Sequence, residues 1–421
     1  MKSFFENRIL FKLLVVSTAI VSLFAFFGPY EYKFQSFAGL FFYYFSIMLF
    51  AIPLVFCGRK NKELVKKKNH QNKKRLTLNG ERIMLIILLI SIISSVVFFE
   101  ECIRVFSVDV LFEEGDYRES FSDIRTTLSK YAEMFSYLGP AGFLIVANGG
   151  SAKLRILKPV SYIAILACGL TGLLLGARWK IFLCVLIILF VVVNRGFFSA
   201  DKTKQWIKRI LLIFFLVILL ERFMVLFDVR GLSTANDIFR FSPGDMVLTP
   251  IASDFYQITN GAINPIYKAI DYIAQAPFVF SVIFENYFPS DLSYGAYMFR
   301  PLGYILGFLG LDVPLSDDIA NSTFTGAYSG TLYYLIVDYG LFWALVIFFG
   351  IGLLFAYIER RKEISSFLGS LFPLVCCVVL CSPIYYMFNV GGADYIFYAF
   401  LIIWVFLSFV GGFRDFEEKK I

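Results

Sequence analysis

Two cations lie close together in a stretch that is otherwise apolar, Arg178 and Lys180 in residues 168–194. An arginine presents a planar fork of donors that matches a phosphate, so Arg178 in such a place could bind an anion. Gly176, just before it, allows a tight turn. The alternative is that both side chains extend to lipid headgroups from the end of a helix, and Lys180 is the better candidate for this. The choice depends on the side of the membrane on which the turn lies.

The composition is that of a membrane protein. Hydrophobic residues make up 58% of the 421 residues and charged residues 17%, whereas a soluble protein has about half and about a quarter. Apolar runs long enough to cross the roughly 30 Å hydrocarbon layer as helices recur along the chain. We therefore predict an all-α polytopic membrane protein. Its ten expected spans are about 9–27, 37–57, 83–99, 131–148, 159–176, 181–194, 210–227, 333–357, 367–386 and 395–411.

The charges between the spans predict which side each gap faces. Gap 58–82 holds ten Lys or Arg against two Glu, whereas gap 100–130 has eight acids and four bases. Residues 228–332 have ten acids and four bases. Because cytoplasmic loops carry the excess of Lys and Arg, the first gap is predicted to be cytoplasmic and the other two to lie outside. Both termini then lie in the cytoplasm.

This topology divides the chain into three parts. Residues 1–227 hold seven spans, 228–332 form a large periplasmic loop, and 333–421 hold three spans and a cytoplasmic tail. The turn at 176–180 falls on the outer face, so Arg178 and Lys180 lie there against the charge rule. A count that is wrong by one span would make Arg178 an ordinary cytoplasmic charge.

The large outer loop is the longest predicted segment outside the membrane. A connection of that length is uncommon unless it is functional or disordered, and its many aromatic residues argue against disorder. Residues 264–288 predict one or two helices lying on or dipping into the membrane. Arg300 lies near Tyr294 and Tyr297, and tyrosine rings beside polar groups are typical of sugar-binding surfaces. The other cations of the loop are Arg230, Arg240 and Lys268. Each of these arginines could instead form an ion pair with an acid of the loop.

Charged residues within or at the ends of spans are functional candidates, because burying a charge is costly. Glu221 and Arg222 are adjacent, so they could neutralise each other, and Glu133 is expected to reach water. Asp338 lies about one turn inside the eighth span. It could hold a local polar network or face a cavity under the large loop, and the sequence leaves both open.

Several classes of site find no support in the sequence. The single histidine, His70, lies in the basic gap 58–82, and no metal centre, catalytic triad or phosphate-binding loop is evident. Six of the seven cysteines lie in apolar runs, so no disulfide framework is implied. The basic gap is expected to contact anionic lipid headgroups and not nucleic acid.

Two motifs resemble a known family. The segment TGLLLGARWK (171–180) lies between two spans, and NSTFTGAYSGTLYYLIVDYGLFW (321–343) follows the large outer loop. This order resembles the Wzy-type O-antigen polymerases, in which a T-G-x-R-like turn precedes a span and a Thr-containing segment leads into Asp-aromatic-Gly. The second pattern is matched by Thr325, Asp338, Tyr339 and Gly340. The first is matched loosely by Thr171, Gly176 and Arg178, because extra residues separate Gly172 from Arg178.

The resemblance implies a metal-independent glycosyltransferase without a cofactor. A growing glycan on undecaprenyl pyrophosphate would be transferred to a lipid-linked repeat unit at the outer face of the bacterial cytoplasmic membrane. Arg178 and Arg300 would stabilise the leaving pyrophosphate, and Asp338 would be the base, with Asp254 or Glu285 as substitutes. The residues expected to bind substrate are Arg230, Arg240, Tyr294, Tyr297 and Thr325. Expected partners are the lipid-linked oligosaccharide, membrane lipids and, as a candidate, a chain-length regulator protein.

Three other functions remain open at this point. An O-antigen ligase would be expected to carry a histidine in an outer loop, and the outer loops of this chain have none. Transferases that use a monosaccharide phospholipid usually show acidic residues in the first outer loop, which here is GPYEYKFQS with one Glu (28–36). A lipid-linked oligosaccharide flippase tends to have more spans and short loops on both sides. The polymerase is therefore favoured.

Overall fold

The chain folds mostly into helices. The structure is a computed structural model, and it describes residues 8–33, 36–56, 74–105, 126–148, 154–174, 178–194, 246–286, 292, 295, 330–385, 388 and 392–415. The first helices of these segments are α1 (Ile9–Phe27), α2 (Phe37–Phe56), α3 (Leu78–Val105), α4 (Thr127–Ser136), α5 (Leu138–Asn148), α6 (Leu157–Leu174) and α7 (Arg178–Asn194). The remaining ones are α8 (Pro250–Ile258), α9 (Asn264–Ala274), α10 (Ala276–Asn286), α11 (Gly330–Arg361), α12 (Ser366–Cys381) and α13 (Ala393–Phe409). The strands are β1 (Tyr30–Tyr32), β2 (Lys74–Leu76), β3 (Met246–Leu248) and β4 (Phe413–Asp415).

The helices overlie nine of the ten predicted spans, and the tenth, 210–227, lies outside the described residues. Among the described residues, four helices are long and apolar enough to cross a membrane: α1, α2, α3 and α11. The predicted span 131–148 is formed by two helices, α4 and α5, which meet at Tyr137. The chain is therefore a helical membrane protein with several spans, and the count of ten stays a prediction.

Two compact units make up the chain. The first unit consists of residues 1–60, 234–360 and 378–390. In it α9 packs on α1, and α10 packs on α2. Gly39 of α2 permits the second contact, because a Cβ atom there would lie 2.8 Å from the Cα of Ser281 in α10. Helices of the large predicted loop thus rest directly on the first two spans.

A carboxylate closes the beginning of α1 in the first unit. Glu359 Oε1 accepts hydrogen bonds from the backbone N–H groups of Ile9 at 2.6 Å and Leu10 at 3.3 Å. The first N–H groups of a helix have no partner within it, and the helix dipole favours a negative charge at this end. Glu359 is 2% exposed. The end of α11 therefore holds the start of α1 through a buried charge.

The second unit consists of residues 61–233, 361–377 and 391–421. Its core is a bundle in which α6 packs against α3, α5 and α7, and α13 packs against α5. The Ser91 hydroxyl donates to the Ser136 carbonyl at 2.8 Å, which fastens α3 to the end of α4. Asn148 Nδ2 donates to the Ser366 carbonyl at 3.0 Å and joins α5 to the start of α12.

Contacts within each unit join gaps that the charge pattern assigns to the same side of the membrane. In the first unit β1, in gap 28–36, pairs antiparallel with β3 of the large loop. In the second unit β2, in the basic gap 58–82, pairs with β4 behind the last span. Glu81 Oε2 also accepts from the Leu154 backbone N–H at 2.8 Å. Which of the two faces is cytoplasmic stays a prediction from charge.

Cysteine labelling tests that orientation. Lys33, after β1, and Asn79, at the start of α3, are both exposed and lie in gaps of opposite predicted sides. In a cysteine-free background, Lys33→Cys is expected to react with a membrane-impermeant maleimide in intact spheroplasts, because gap 28–36 is predicted to face outward. Asn79→Cys is expected to react only after permeabilisation. The reverse result would show that the charge-based orientation is inverted.

Candidate functional site

Most of the site residues predicted from sequence lie outside the described segments. These are Arg230, Arg240, Tyr294, Tyr297, Arg300 and Thr325. Arg178 is the first residue of α7, and its side chain also lies outside the description. Asp254 of α8 and Glu285 of α10, the substitute bases, are both exposed. The structure therefore neither assembles nor separates the predicted arginines, and their roles stay predictions.

Asp338 lies in α11, two residues before a break in that helix. Its side chain is completely buried. The break is at Gly340, whose backbone angles are φ 73° and ψ 167°. This combination is almost restricted to glycine, because any Cβ would clash with the backbone. In the Asp-Tyr-Gly sequence, the glycine therefore interrupts the helix next to a buried carboxylate.

Lys180 does not extend to lipid headgroups, so that interpretation of its role is wrong. The residue is 2% exposed, and its Nζ lies 3.8 Å from Glu133 Oε1 and 3.2 Å from the Ser136 hydroxyl. It also lies 4.2 Å from the centre of the Tyr137 ring. These partners belong to the α4–α5 corner, so the cation joins α7 to that corner. A buried charge needs a counter-charge and hydrogen bonds, and these partners supply both.

A cleft of about 760 Å³ opens where α1 ends in the first unit. Its walls are the last turn of α1, strand β1, the start of α8 and one face of α9. Thr249 begins α8 as its N-cap, with the side chain accepting from Ala252 N–H at 3.3 Å. The backbone N–H of Thr249 also donates to the Pro29 carbonyl at 2.9 Å, which extends the β1–β3 ladder. The cap at the start of α8 and the pairing of β1 with β3 together hold the walls of the cleft in place.

Tyrosine rings form one side of this cleft. Tyr30 and Tyr267 meet edge to face with ring centres 6.4 Å apart. The Tyr267 hydroxyl donates to the Ala252 carbonyl at 3.1 Å, which holds α9 against α8. Tyr32 lies further along β1, and its ring centre is 5.4 Å from that of Phe278 in α10. The result is a rigid aromatic wall with hydroxyl groups.

Behind Tyr32 lies a buried carboxylate on α9. The Tyr32 hydroxyl donates to Asp271 Oδ1, and Asp271 is 0% exposed. Its other oxygen, Oδ2, has no hydrogen-bond partner among the described residues. The same holds for the side-chain nitrogen Nε2 of Gln275, one helical turn later and 3% exposed. Buried polar atoms are nearly always paired, and these two, an acceptor and a donor, lie one helical turn apart on the same face of α9.

Burial changes the proton affinity of these groups, which lie outside the predicted spans. It raises the pKa of Asp271 to about 7, although the hydrogen bond from Tyr32 opposes this shift. Burial, followed by the charge of Asp271, also raises the pKa of Tyr30 and of Tyr32. A carboxyl group with a pKa near 7 can accept or donate a proton at neutral pH. Both tyrosines therefore remain protonated at neutral pH, and Tyr32 donates a hydrogen bond to Asp271.

Sequence reasoning overlooked Asp271, Gln275, Tyr30 and Tyr32. The helices predicted within 264–288 are present as α9 and α10, which confirms that part of the prediction. The sequence does contain a signal for Asp271, which is its position on α9. Tyr267, Asp271 and Ala274 are buried on one face of this helix, and Asp271 lies between the other two. A carboxylate in the middle of an otherwise apolar helix face calls for a partner elsewhere in the chain.

The break at Gly340 can be tested by adding one methyl group. Gly340→Ala is expected to destabilise the protein by about 1–3 kcal/mol, because alanine cannot adopt this backbone conformation without strain. Gly350→Ala on the same helix is the matched control, since a Cβ there would meet no atom within 4 Å. It should be neutral or slightly stabilising. Thermal unfolding of the purified variants in detergent measures both, and equal effects would contradict the role of Gly340.

The raised pKa of Asp271 predicts a pH dependence of stability. The unfolded chain loses this proton near its ordinary pKa of 3.8, whereas the folded protein keeps it up to about pH 7. The contribution of Asp271 to the free energy of unfolding therefore falls as pH rises between these values and is constant above them. Asp271→Asn should remove this decline. Relative to wild type, the variant should gain about 3 kcal/mol between pH 5 and pH 8.

Asp254→Asn is the control for this experiment. Asp254 is an exposed acid on α8 of the same unit, so its replacement should leave the pH profile of the unfolding temperature close to that of wild type. Parallel profiles for wild type and Asp271→Asn between pH 5 and pH 8 would show that Asp271 titrates normally and is not buried in the folded protein.

Comparison with known proteins does not identify a function for the residues described above. No protein-family model, curated protein or solved structure matches the chain. Within the described segments, no group of three or more His, Cys, Asp or Glu residues is arranged to hold a metal ion. The function must therefore be argued from the motifs around Arg178 and Asp338 and from the cleft beside Asp271.

Proposed function

We propose that this protein polymerises undecaprenyl-pyrophosphate-linked oligosaccharide repeat units into O-antigen or capsule-type polysaccharide. The reaction is placed at the outer face of the bacterial cytoplasmic membrane. The observation that carries the proposal is the Asp338-Tyr339-Gly340 motif. Its carboxylate is buried in an apolar helix, next to a helix break that requires glycine. A costly charge beside a strained backbone is typical of functional sites in membrane proteins.

The proposed reaction is a displacement at the anomeric carbon of the growing glycan. A hydroxyl of the incoming repeat unit loses its proton to Asp338, and its oxygen forms the new glycosidic bond. The bond from the anomeric carbon to the pyrophosphate breaks, and its electron pair leaves with the lipid pyrophosphate. Arg178 and Arg300, with Arg230 or Arg240, stabilise the negative charge that develops on this leaving group. Tyr294, Tyr297 and Thr325 bind the sugars.

The described part of the structure supports a reaction at one face of a membrane. Helices α9 and α10 of the large predicted loop pack on the spans α1 and α2. The cleft at the end of α1 lies in this layer, next to strand β1. Clefts that combine aromatic walls with a few polar groups are the usual form of small-molecule sites. A lipid-linked substrate, which has its reacting groups at the membrane surface, suits such a position.

Deletion of the coding sequence in the native host tests the proposal. The surface glycan is expected to collapse to a single repeat unit, because assembly and export of the unit continue without polymerisation. Gel electrophoresis of the surface polysaccharide, with analysis of the lipid-linked precursor, measures this. Complementation with the wild-type chain should restore long polymers. Arg178→Lys should restore few, since lysine keeps the charge but lacks the bidentate fork.

Other outcomes identify the competing functions. Long chains that accumulate on the lipid carrier would indicate a ligase, and single units trapped on the carrier with none at the surface would indicate a flippase. Unchanged long polymer at the surface would exclude all three activities for this chain. Protein levels of the complementing variants are compared by immunoblot, so that loss of polymer is not confused with loss of protein.

A further inference from the structure

Helix α8 has an exposed apolar face. Its residues Ile251, Phe255 and Ile258 are 76%, 53% and 77% exposed, and their spacing places them on one side of the helix. Another side packs on protein. There Ala252 is 5% exposed, and its carbonyl accepts a hydrogen bond from the Tyr267 hydroxyl of α9 at 3.1 Å. Contiguous apolar side chains on a protein surface usually mark contact with another molecule or with a membrane.

A third side of α8 is polar. Asp254 and Gln257 are both exposed, and their spacing of three residues places them together beside the apolar face. Separate sides for protein, for apolar contact and for water are expected of a helix that lies in a membrane interface. Such helices often carry Lys or Arg, which attract anionic lipids, whereas the α8 sequence PIASDFYQI has neither. Contacts with the rest of the first unit hold α8 in place instead.

The depth of α8 in the membrane follows from its connection to α1. Helix α1 has 19 residues and is apolar enough to cross a membrane. Its length of about 28 Å matches a hydrocarbon layer of roughly 30 Å, so its last residue, Phe27, lies near the boundary of that layer. The Pro29 carbonyl accepts from the Thr249 N–H at 2.9 Å, and α8 begins at Pro250. Helix α8 therefore starts where hydrocarbon gives way to headgroups.

The apolar face of α8 adjoins a lipid-facing side of α1. The exposed residues on this side of α1 are Val16, Ile20, Leu23 and Phe27. Exposed apolar residues of a membrane span contact hydrocarbon. Phe27 is 82% exposed, and it lines the cleft at the end of α1 together with Ile251. The apolar faces of the two helices therefore meet at this cleft and form one continuous surface for lipid.

From these observations we propose that α8 is an interfacial helix whose face of Ile251, Phe255 and Ile258 inserts among the first acyl carbons of the lipid layer. Its partner is the lipid bilayer at the end of α1. Helix α8 lies outside residues 264–288, for which the sequence predicts membrane contact. Insertion fixes the β1–β3 pair, and the cleft beside it, at the level of the headgroups. The inference uses only contacts within the first unit, so it is independent of the proposed polymerase reaction.

Depth-dependent fluorescence quenching tests the position of α8. Ile258→Cys is labelled with a bimane maleimide in the full-length protein and reconstituted into liposomes of phosphatidylethanolamine and phosphatidylglycerol. The cysteines of the described segments are buried, and wild-type protein treated in the same way supplies the blank. Lipids brominated near the headgroup end of their acyl chains should quench this label more strongly than lipids brominated near the chain ends, because an interfacial helix lies at shallow depth.

Gln257→Cys is the matched control. Gln257 is also exposed and is adjacent in sequence, but it lies on the polar side of α8. Its label should be quenched at least twofold less by the shallow brominated lipids and at least twofold more by iodide in the water. Equal quenching of both labels by iodide would place the whole helix in water and overturn the proposal. A label at position 258 that neither quencher reaches would also overturn it, since protein and not lipid would then cover the face.

Photocrosslinking checks the same contact without a cysteine label. Phe255 is replaced by benzoylphenylalanine, an aromatic residue that reacts with nearby C–H bonds on irradiation. In native membranes this position should yield a phospholipid adduct, detected by mass spectrometry of the peptide that contains it. The same replacement at Gln257 should yield several-fold less adduct. Equal yields at the two positions, or crosslinks from position 255 to protein alone, would contradict insertion of the apolar face.

Discussion

A charge that is removed from water must find its partner inside the protein, and the described parts of this chain depend on that constraint. Glu359 is buried because it accepts the first N–H groups of α1. Lys180 is buried because Glu133, Ser136 and the Tyr137 ring surround its ammonium group. Each pair joins elements that are distant in sequence. In helices whose outer surfaces are apolar, such polar pairs specify which helices meet, since apolar contacts alone discriminate poorly among partners.

Asp271 obeys the same constraint only in part. One carboxylate oxygen has the Tyr32 hydroxyl, whereas the other has no partner in the described segments. Burial of this carboxyl group raises its pKa to about 7. The fold therefore tolerates the cost of burying a polar atom that no described residue pairs.

The sequence predicted the helices well because each depends on its own residues. An apolar run of sufficient length forms a helix wherever it lies, so α1, α2, α6 and α7 begin and end within a few residues of their predicted bounds. Asp271 could not be found in this way, because its partner Tyr32 lies 239 residues away. Lys180 was misread for the same reason, since Glu133 belongs to another helix. Local patterns report the period of an element, whereas a site is formed by residues that only the fold brings together.

A lipid-linked glycan presents three chemistries that one surface cannot serve equally well. Its hydrocarbon chain needs an apolar face, its pyrophosphate needs cations, and its sugars need aromatic faces and uncharged hydrogen-bonding groups. The end of α1 provides an apolar face, and tyrosines lie among the described residues that line the cleft beside it. On the proposed function, the arginines recognise a group that every substrate shares, so they can accelerate the reaction but cannot select the sugar. Selection then falls to groups that pair with individual hydroxyls, because a missing hydroxyl leaves such a group buried without a partner.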